Sequence, residues 1–335
     1  MKVDYTDYKA VLQRGIDQKK NIEEAVEKIV KKGVENVFLV GCGGSLAVMT
    51  PLKYVMEINS KLPVYEYNAS EFINIKPKLF GEKSLVILSS YTGTTKETVA
   101  AAKFAKEMGA ATIGFTGEAD SPLGQSVDFV FANAAKNGVT DSKLIMLYQI
   151  VFNLIKHTDN YDKYDDMMDA LATLPDNMVN IKNLAEEKAE QFALKYKDAD
   201  FFMTLGAGAV WGETYSYAVC ILEEMQWIKA QPVHAGEFFH GSFEIVQEDT
   251  NLLVFQGEDL TRPLLDRVIT FANKYTKNMV LIDTKDYPLY GVPEDLRGYF
   301  SPFVISAVLD RFSENLASVR NHPLSTRRYM TKVEY

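Results

Sequence analysis

The segment Leu85-Val-Ile-Leu-Ser-Ser-Tyr-Thr-Gly-Thr-Thr95 joins a short apolar run to a loop that is rich in hydroxyl side chains. Four consecutive apolar residues bounded by turn residues are typical of a strand buried on both faces. A segment with helical periodicity follows the loop and reaches Met108, and we expect Gly109 to end that helix. A strand that passes through a loop directly into a helix predicts an α/β fold.

The same succession of strand, loop and helix surrounds this segment. A polar helical stretch from Tyr8 to Lys32 precedes the apolar strand Val37–Val40. That strand runs into the loop Gly41-Cys-Gly-Gly-Ser45 and a helical stretch to about Ile58. Further strands are expected at Val64–Tyr67, Ala111–Phe115 and Phe129–Phe131. Short apolar strands that alternate with helices predict a parallel sheet covered by helices on both faces.

The pattern begins again about one domain length later. The strand Phe201–Leu205 leads into Gly206-Ala-Gly-Ala-Val210 and a helix expected to run through Lys229. Strands at Leu252–Phe255 and Met279–Ile282 flank a helix from about Pro263 to Tyr275. We therefore predict two similar domains, residues 1–160 and 196–335, joined by a helical linker at 161–195.

Composition excludes several classes of partner. The 335 residues carry a formal net charge of −9, and because basic residues form no long stripe, nucleic acid is not expected as a partner. No apolar run approaches the roughly 18 residues of a membrane span, so no membrane partner is expected. Two cysteines, Cys42 and Cys220, form no disulfide framework or metal-ligand spacing. The sequence predicts a soluble, cytoplasmic protein.

Serine and threonine occupy five of the seven positions from Ser89 to Thr95, at the start of a helix. Such a loop can surround a phosphate with hydroxyls and backbone N–H groups, and the helix dipole favours the anion. The alternative is plain capping of the helix, for which one hydroxyl is enough. The number of hydroxyls favours phosphate binding.

The loop Gly41-Cys-Gly-Gly-Ser-Leu-Ala47 fits a loose G-x-G-x-x-x-A pattern, and Glu66 ends the next strand. A dinucleotide site, a general anion site and a glycine turn needed for tight packing are all compatible with this pattern. A nicotinamide-dependent dehydrogenase therefore stays open as a minor alternative.

Four segments together resemble the SIS (sugar isomerase) family. They are Cys42-Gly-Gly-Ser45, Ser90-Tyr-Thr-Gly-Thr-Thr95, Gly138-Val-Thr-Asp-Ser-Lys143 and Gly236-Glu-Phe-Phe-His-Gly241. The last is similar to a segment with a catalytic histidine in the isomerase region of glucosamine-6-phosphate synthase, although Ser242 replaces the usual proline. The C-terminal residues 327–335 resemble those of fructoselysine-6-phosphate deglycases. The resemblance implies two tandem SIS domains, each a flavodoxin-like three-layer sandwich.

The resemblance also implies roles for individual residues. Glu224 would be the base that moves a substrate proton, and His240 would open the sugar ring. The residues implied in substrate binding are Gly43, Gly44, Ser45, Ser90, Tyr91, Thr92, Gly93, Thr95, Val139, Thr140 and Lys332. No metal and no organic cofactor is implied.

Periodicity supports only part of this assignment. Tyr217, Ile221, Glu224 and Ile228 fall on one helical stripe, but the helix is apolar around much of its circumference. The spacing alone does not choose Glu224 over Glu223, and a solvated glutamate remains an alternative. His240 could likewise be a buried structural hydrogen-bonding residue.

The implied function is that of a deglycase, which cleaves a 6-phosphorylated Amadori compound to glucose 6-phosphate and an amine. Ile221 stands where the synthase has a lysine, which favours deglycation over amination. The alternatives are an aldose–ketose aminosugar-phosphate isomerase or deaminase, and a phosphosugar-binding protein without catalysis. The resemblance further implies a homodimer whose active sites are shared between subunits.

Overall fold

The computed structural model describes residues 4–133, 139–330 and 332–334. The chain divides into two compact units, Met1–Asp176 and Asn177–Tyr335. The division into domains at 1–160 and 196–335, with a linker between them, stays a prediction. Among the described residues, no helix is long and apolar enough to cross a membrane.

The described part of the first unit is built on five parallel strands: β1 (Asn36–Gly41), β2 (Val64–Asn68), β3 (Ser84–Ser89), β4 (Ala111–Thr116) and β5 (Phe129–Ala132). Their order in the sheet is β2-β1-β3-β4-β5. All residues of β1 and β3 are buried, which explains why both appear in the sequence as apolar runs.

Helices surround this sheet, and side chains of Phe38 and Val86 pack with the fifth and sixth helices on one face. Gly33 and Gly109 end the second and sixth helices with φ of 88° and 80°, as predicted for Gly109. The helices are α1 (Thr6–Ile16), α2 (Lys19–Lys32), α3 (Gly44–Ala47), α4 (Thr50–Asn59), α5 (Ala69–Ile75), α6 (Lys96–Glu107), α7 (Val139–Asp159) and α8 (Tyr164–Ala172).

Two predicted helical stretches are interrupted. The stretch from Tyr8 to Lys32 is two helices, α1 and α2, separated by Asp17 and Gln18. The stretch that ends near Ile58 is likewise divided into α3 and α4. In both cases the polar and apolar spacing continues across the turn, so periodicity did not reveal the break.

In the second unit, the described residues form four parallel strands in the order β7-β6-β8-β9. The strands are β6 (Phe201–Gly206), β7 (Lys229–His234), β8 (Leu252–Gln256) and β9 (Met279–Asp283). The helices are α9 (Leu174–Tyr196), α10 (Trp211–Ser216), α11 (Arg262–Tyr275) and α12 (Arg297–Val319), and α10 continues into a π-helical segment, Tyr217–Glu223.

The predicted helix through Lys229 is wrong, because the chain leaves the helical segment at Glu223 and forms strand β7 instead. Pro232 lies within this strand and has no N–H to donate to a neighbour. It is accommodated because β7 lies at the edge of the sheet and pairs only with β6 within the described residues.

The predicted fold class, two parallel sheets each flanked by helices, is confirmed. Both sheets place their first strand between the second and the third, so the strand order reverses between β1 and β3 and between β6 and β8. In open parallel sheets, ligands bind at the carboxyl ends of the strands where the order reverses. This rule places the candidate site in the loops after β1 and β3.

Candidate functional site

The two predicted substrate loops of the first unit begin side by side. Gly41 and Ser89 are register partners at the carboxyl ends of β1 and β3. The loop after Gly41 turns at Gly43, whose φ is 53°, and enters α3 at Gly44 with Ser45 half-buried in the first turn. The strand pairing therefore brings the loops 42–45 and 90–95 to one edge of the sheet.

The 90–95 loop is held in shape by hydrogen bonds among its own hydroxyls. Ser90 and Thr95 share a hydrogen bond of 2.9 Å, and Thr92 and Thr94 share one of 2.7 Å. Gly93 has a φ of 65°, and a Cβ at this position would lie 2.2 Å from the hydroxyl oxygen of Ser121. This close approach requires glycine.

The capping alternative for this loop is not what the structure contains. Thr95 occupies the N-cap position of α6, but among the described residues no side chain accepts a cap hydrogen bond from that helix. Tyr91 and Thr92 are exposed, whereas Ser90 is buried. The first N–H groups of α6 thus remain available to an anion.

Lys143 adds a positive charge beneath this loop, and it is not among the site residues predicted from sequence. Its side chain extends from α7, is 6% exposed, and donates a hydrogen bond of 3.0 Å to the hydroxyl of Ser89. Within the described part of the chain no carboxylate pairs with it, and burial lowers the pKa of its ammonium to about 8. A buried cation without a counter-ion is costly unless a bound anion compensates it.

The remaining predicted contacts of the first unit lie at the start of α7. Thr140 is exposed in the first turn of that helix. Val139 begins the helix, but its side chain and Gly138 lie outside the described residues. Glu66 accepts a hydrogen bond of 2.8 Å from Thr50, and burial raises the pKa of its carboxyl. Its engagement with Thr50 disfavours the ribose-binding role of a dinucleotide site.

The second unit fills the corresponding position with its own carboxylate. Asp259, in the loop after β8, accepts hydrogen bonds from the backbone N–H and hydroxyl of Thr261 at 2.7 and 2.6 Å. It also accepts one of 3.3 Å from the N–H of Ala209, in the loop after β6. Burial raises the pKa of this carboxyl. Because Asp259 already engages these donors, the anion site is expected in the first unit.

Glu224 directly follows the π-helical segment. Its N–H donates to the carbonyl of Val219, five residues back, at 3.1 Å. π-Helical turns occur often at functional sites because they redirect the side chains that follow. The Glu224 side chain is 25% exposed, and its Oε1 forms an ion pair with Nη2 of Arg327 at 2.9 Å. Sequence reasoning missed this partner, which lies about 100 residues away in the chain.

Glu224 lines a cavity of about 480 Å³, a size that suits a small ligand. Trp227 forms part of its wall and has a φ of 57°, a left-handed conformation that is strained for a residue with a side chain. The centroid of its ring lies 4.6 Å from the ring centroid of His322 and 4.2 Å from Cζ of Arg328. The lining residues are Glu223, Glu224, Trp227, Ile228, Lys229 and residues 327–330.

His240 lies in a short 3-10 turn, Phe238–His240, and its side chain is exposed. Exposure disfavours the buried structural role, and His240 is not among the described residues that line the cavity of Glu224. His234 instead accepts a hydrogen bond of 3.2 Å from the N–H of Gly236, and burial lowers its pKa. His234 therefore shapes the loop that carries His240.

Lys332 is exposed, and its ammonium donates a hydrogen bond of 2.5 Å to the carbonyl of Arg327. It is not among the described residues that line the cavity. Neither Cys42 nor Cys220 forms a disulfide. Among the described residues, no group of three or more histidines, cysteines and carboxylates could hold a metal ion.

Comparison with known proteins gives matches along nearly the whole chain. Residues 29–154 match the model of the SIS domain. The fructosamine deglycase FrlB of Bacillus subtilis (strain 168) is 41% identical, with 94% of this chain and 97% of the relative covered. The fructoselysine 6-phosphate deglycase of Escherichia coli (strain K12) is 26% identical, with 92% and 89% covered. A solved structure from B. subtilis, named as a candidate phosphosugar isomerase, is 39% identical with a TM-score of 0.92, covering 96% and 99%.

Proposed function

Because this chain belongs to the SIS domain family and is homologous to fructosamine and fructoselysine 6-phosphate deglycases, we propose that it is a deglycase. It would cleave a 6-phosphorylated Amadori compound to glucose 6-phosphate and a free amine. The observation that carries this proposal is the 41% identity over almost the full length of a fructosamine deglycase.

In this proposal the first unit binds the phosphate. The hydroxyls of Ser90, Thr92 and Thr95 and the N-terminus of α6 surround the anion, and Lys143 supplies a positive charge from beneath. Gly43, Gly44, Ser45, Tyr91, Gly93, Val139 and Thr140 complete the proposed substrate contacts. A fixed phosphate holds the C1–C2 edge of the sugar in one orientation, which lowers the entropic cost of the reaction.

Glu224 and His240 carry out the chemistry. His240 helps to open the sugar ring by proton transfer, and Glu224 removes a proton from C1. Reprotonation at C2 converts the 2-ketone and C1 amine into a C1 imine with a hydroxyl at C2. Water then adds to C1, the C1–N bond breaks, and the amine leaves with a proton. The products are glucose 6-phosphate and the amine, without net oxidation or reduction.

Two features support deglycation over amination. Ile221 lies three residues before Glu224, where the synthase carries a lysine. Lys332 directs its ammonium to the carbonyl of Arg327, away from the role of a Schiff-base amine. A deglycase needs neither lysine, because its substrate already carries the nitrogen, and Lys332 stays a proposed substrate contact.

We further propose a homodimer in which each active site takes Glu224 from one subunit and His240 from the partner. The exposure of His240 and its absence from the described lining of the Glu224 cavity support this arrangement. A phosphorylated sugar substrate and two cysteines that form no disulfide fit a cytoplasmic enzyme.

The test is to incubate the pure protein with a 6-phosphorylated Amadori compound and, separately, with fructose 6-phosphate and ammonia. Release of glucose 6-phosphate from the first supports the proposal. Formation of glucosamine 6-phosphate only from the second overturns it in favour of an aminosugar-phosphate enzyme. Binding of phosphosugar without any product would indicate the non-catalytic alternative.

A further inference from the structure

The proposed base is held by an arginine of the C-terminal segment. Arg327 donates two hydrogen bonds from Nη1 to the carbonyls of Leu324 and Thr326, at 2.7 and 2.9 Å, and its Nη2 forms an ion pair with Glu224. The backbone contacts fix the guanidinium, whose side chain is 19% exposed. Arg327 is therefore a rigidly placed cation in direct contact with the carboxylate proposed to act on C1.

The cavity that these two residues share is richer in cations than in carboxylates. Lys229, Arg327 and Arg328 are the basic residues of its lining, against Glu223 and Glu224. Glu223 is already engaged, because its Oε1 accepts a hydrogen bond of 3.3 Å from the N–H of Ala230. The cavity beside Glu224 thus offers a site for a further negative charge.

We propose that Arg327 is a specificity-determining residue that binds a carboxylate on the amine portion of the substrate. Without substrate, Arg327 holds Glu224. When a substrate binds, its carboxylate replaces Glu224 as the partner of the guanidinium. Oε1 of Glu224 then becomes free to accept the C1 proton. This inference rests on the proposed deglycase function and adds the class of amine, one that carries a carboxylate close to its nitrogen.

The position of that carboxylate follows from the bond lengths of the substrate and from the distance between Glu224 and Arg327. A carboxyl carbon that is one carbon away from the nitrogen lies three bonds, and so about 4 Å or less, from C1. Glu224 must contact the C1 proton, and Arg327 lies 2.9 Å from Glu224. Among the described residues, the Nε–H of Arg327 meets no acceptor. The guanidinium therefore retains a donor for the two-point pairing that arginine makes with carboxylates.

The test compares two substrates that differ in a single charge: the 6-phosphorylated Amadori compounds of glycine and of glycinamide. Wild-type enzyme is expected to favour the glycine compound in kcat/KM by roughly 10- to 100-fold, the value of hydrogen bonds to a charged group. Arg327→Gln removes the guanidinium charge, and the preference should fall to about 1-fold. Arg328→Gln, the same change at the next residue, should keep the preference.

The possible outcomes distinguish the role of Arg327 from the proposed deglycase function. Equal kcat/KM for the two compounds in the wild type, or an unchanged preference in Arg327→Gln, overturns the role of Arg327 while leaving deglycation intact. Cleavage of another 6-phosphorylated Amadori compound but of neither glycine-derived compound also overturns the role of Arg327, and failure to cleave any of them overturns the proposed function itself. Should Arg327→Gln fail to fold by circular dichroism, Arg327→Lys provides the second measurement. It keeps the charge but loses the two-point pairing, and its preference should lie between those of the other two enzymes.

Discussion

Two buried lysines of this protein differ in their partners. Lys182 is buried but pairs with Asp310 at 2.5 Å. Lys143 is equally buried and donates to the neutral hydroxyl of Ser89. An ammonium without a counter-ion costs free energy in the folded state. The phosphate of a substrate would supply the counter-ion that Lys143 lacks among the described residues.

Replacing each lysine by methionine separates these roles. Lys143→Met should weaken binding of glucose 6-phosphate about 10-fold or more, because a charged hydrogen-bond donor is lost. Its free energy of unfolding should not fall, since a costly buried charge is removed. Lys182→Met should leave binding unchanged and lower stability by about 1 kcal/mol, because Asp310 is partly exposed to water. Calorimetric titration measures the binding of glucose 6-phosphate, and urea unfolding measures the stability of each variant. Unchanged binding in Lys143→Met would contradict a role of Lys143 in binding phosphate.

The lowered pKa of Lys143 predicts a pH dependence of stability. Its pKa is about 8 in the folded protein and near 10.5 when unfolded, so between these values the unfolded chain binds the extra proton. Stability therefore rises with pH across this window, by up to about 3 kcal/mol. Urea unfolding from pH 7.5 to 10.5 should show this rise relative to Lys143→Met. A difference between the two proteins that is flat with pH would contradict it.

Some residues of the candidate site were predictable from sequence and others were not. Ser90 and Thr95 could be found because their loop is contiguous, and strand pairing brings it beside Gly43. Arg327 and Trp227 were missed because an ion pair across about 100 residues and a strained φ leave no periodic signal. The motif containing Lys143 was recognised, but its burial follows only from the packing of α7.

At the scale of elements, sequence patterns predicted most strands of both sheets but failed around Glu224. The π-helical segment Tyr217–Glu223 winds more widely than an α-helix, so the predicted stripe through Ile221 and Glu224 does not describe its surface. Tyr217 and Ile228 are buried, whereas Ile221 and Glu224 are half-buried. Strand β7 was missed because the helix after Gly206 was predicted to run through Lys229; Pro232 lies in this strand, and the edge position accommodates it.

The 90–95 loop has an element-level consequence for Gly93. In Gly93→Ala, the new Cβ would meet Ser121 at 2.2 Å and Thr116 at 2.6 Å, in addition to the strain of positive φ. We expect a loss of stability of about 3 kcal/mol, the sum of strain and overpacking. Gly109→Ala is the control, because its φ of 80° is also positive but the nearest atom lies 3.5 Å from the new Cβ, an ordinary van der Waals distance. It should lose about 1 to 2 kcal/mol in urea unfolding. Equal losses of stability in the two variants would argue against close packing around Gly93.

At the scale of the whole molecule, the two units share a strand order but not a site. The reversal between β1 and β3 opens onto hydroxyls and a buried ammonium, whereas the reversal between β6 and β8 is filled by Asp259. In the proposed function the loops of the first unit bind an external anion, whereas in the second unit Asp259 supplies an internal one.

The proposed sharing of the active site between subunits predicts complementation. Glu224→Gln and His240→Asn should each be inactive alone, but a dimer of one with the other restores one site with both native residues. With random pairing, co-expressed chains should recover about a quarter of wild-type activity. Each purified variant mixed with itself serves as the control. Absence of recovery in proven mixed dimers would mean that both residues act within one chain.

The central proposal is that Glu224 is the base of a deglycation reaction. The most direct measurement is the amount of glucose 6-phosphate and of free amine released from a 6-phosphorylated Amadori compound by wild type, Glu224→Gln and Glu223→Gln. The account predicts equal amounts of both products from wild type and Glu223→Gln, and a loss of about 100-fold or more in Glu224→Gln. Wild-type rates in Glu224→Gln would contradict it.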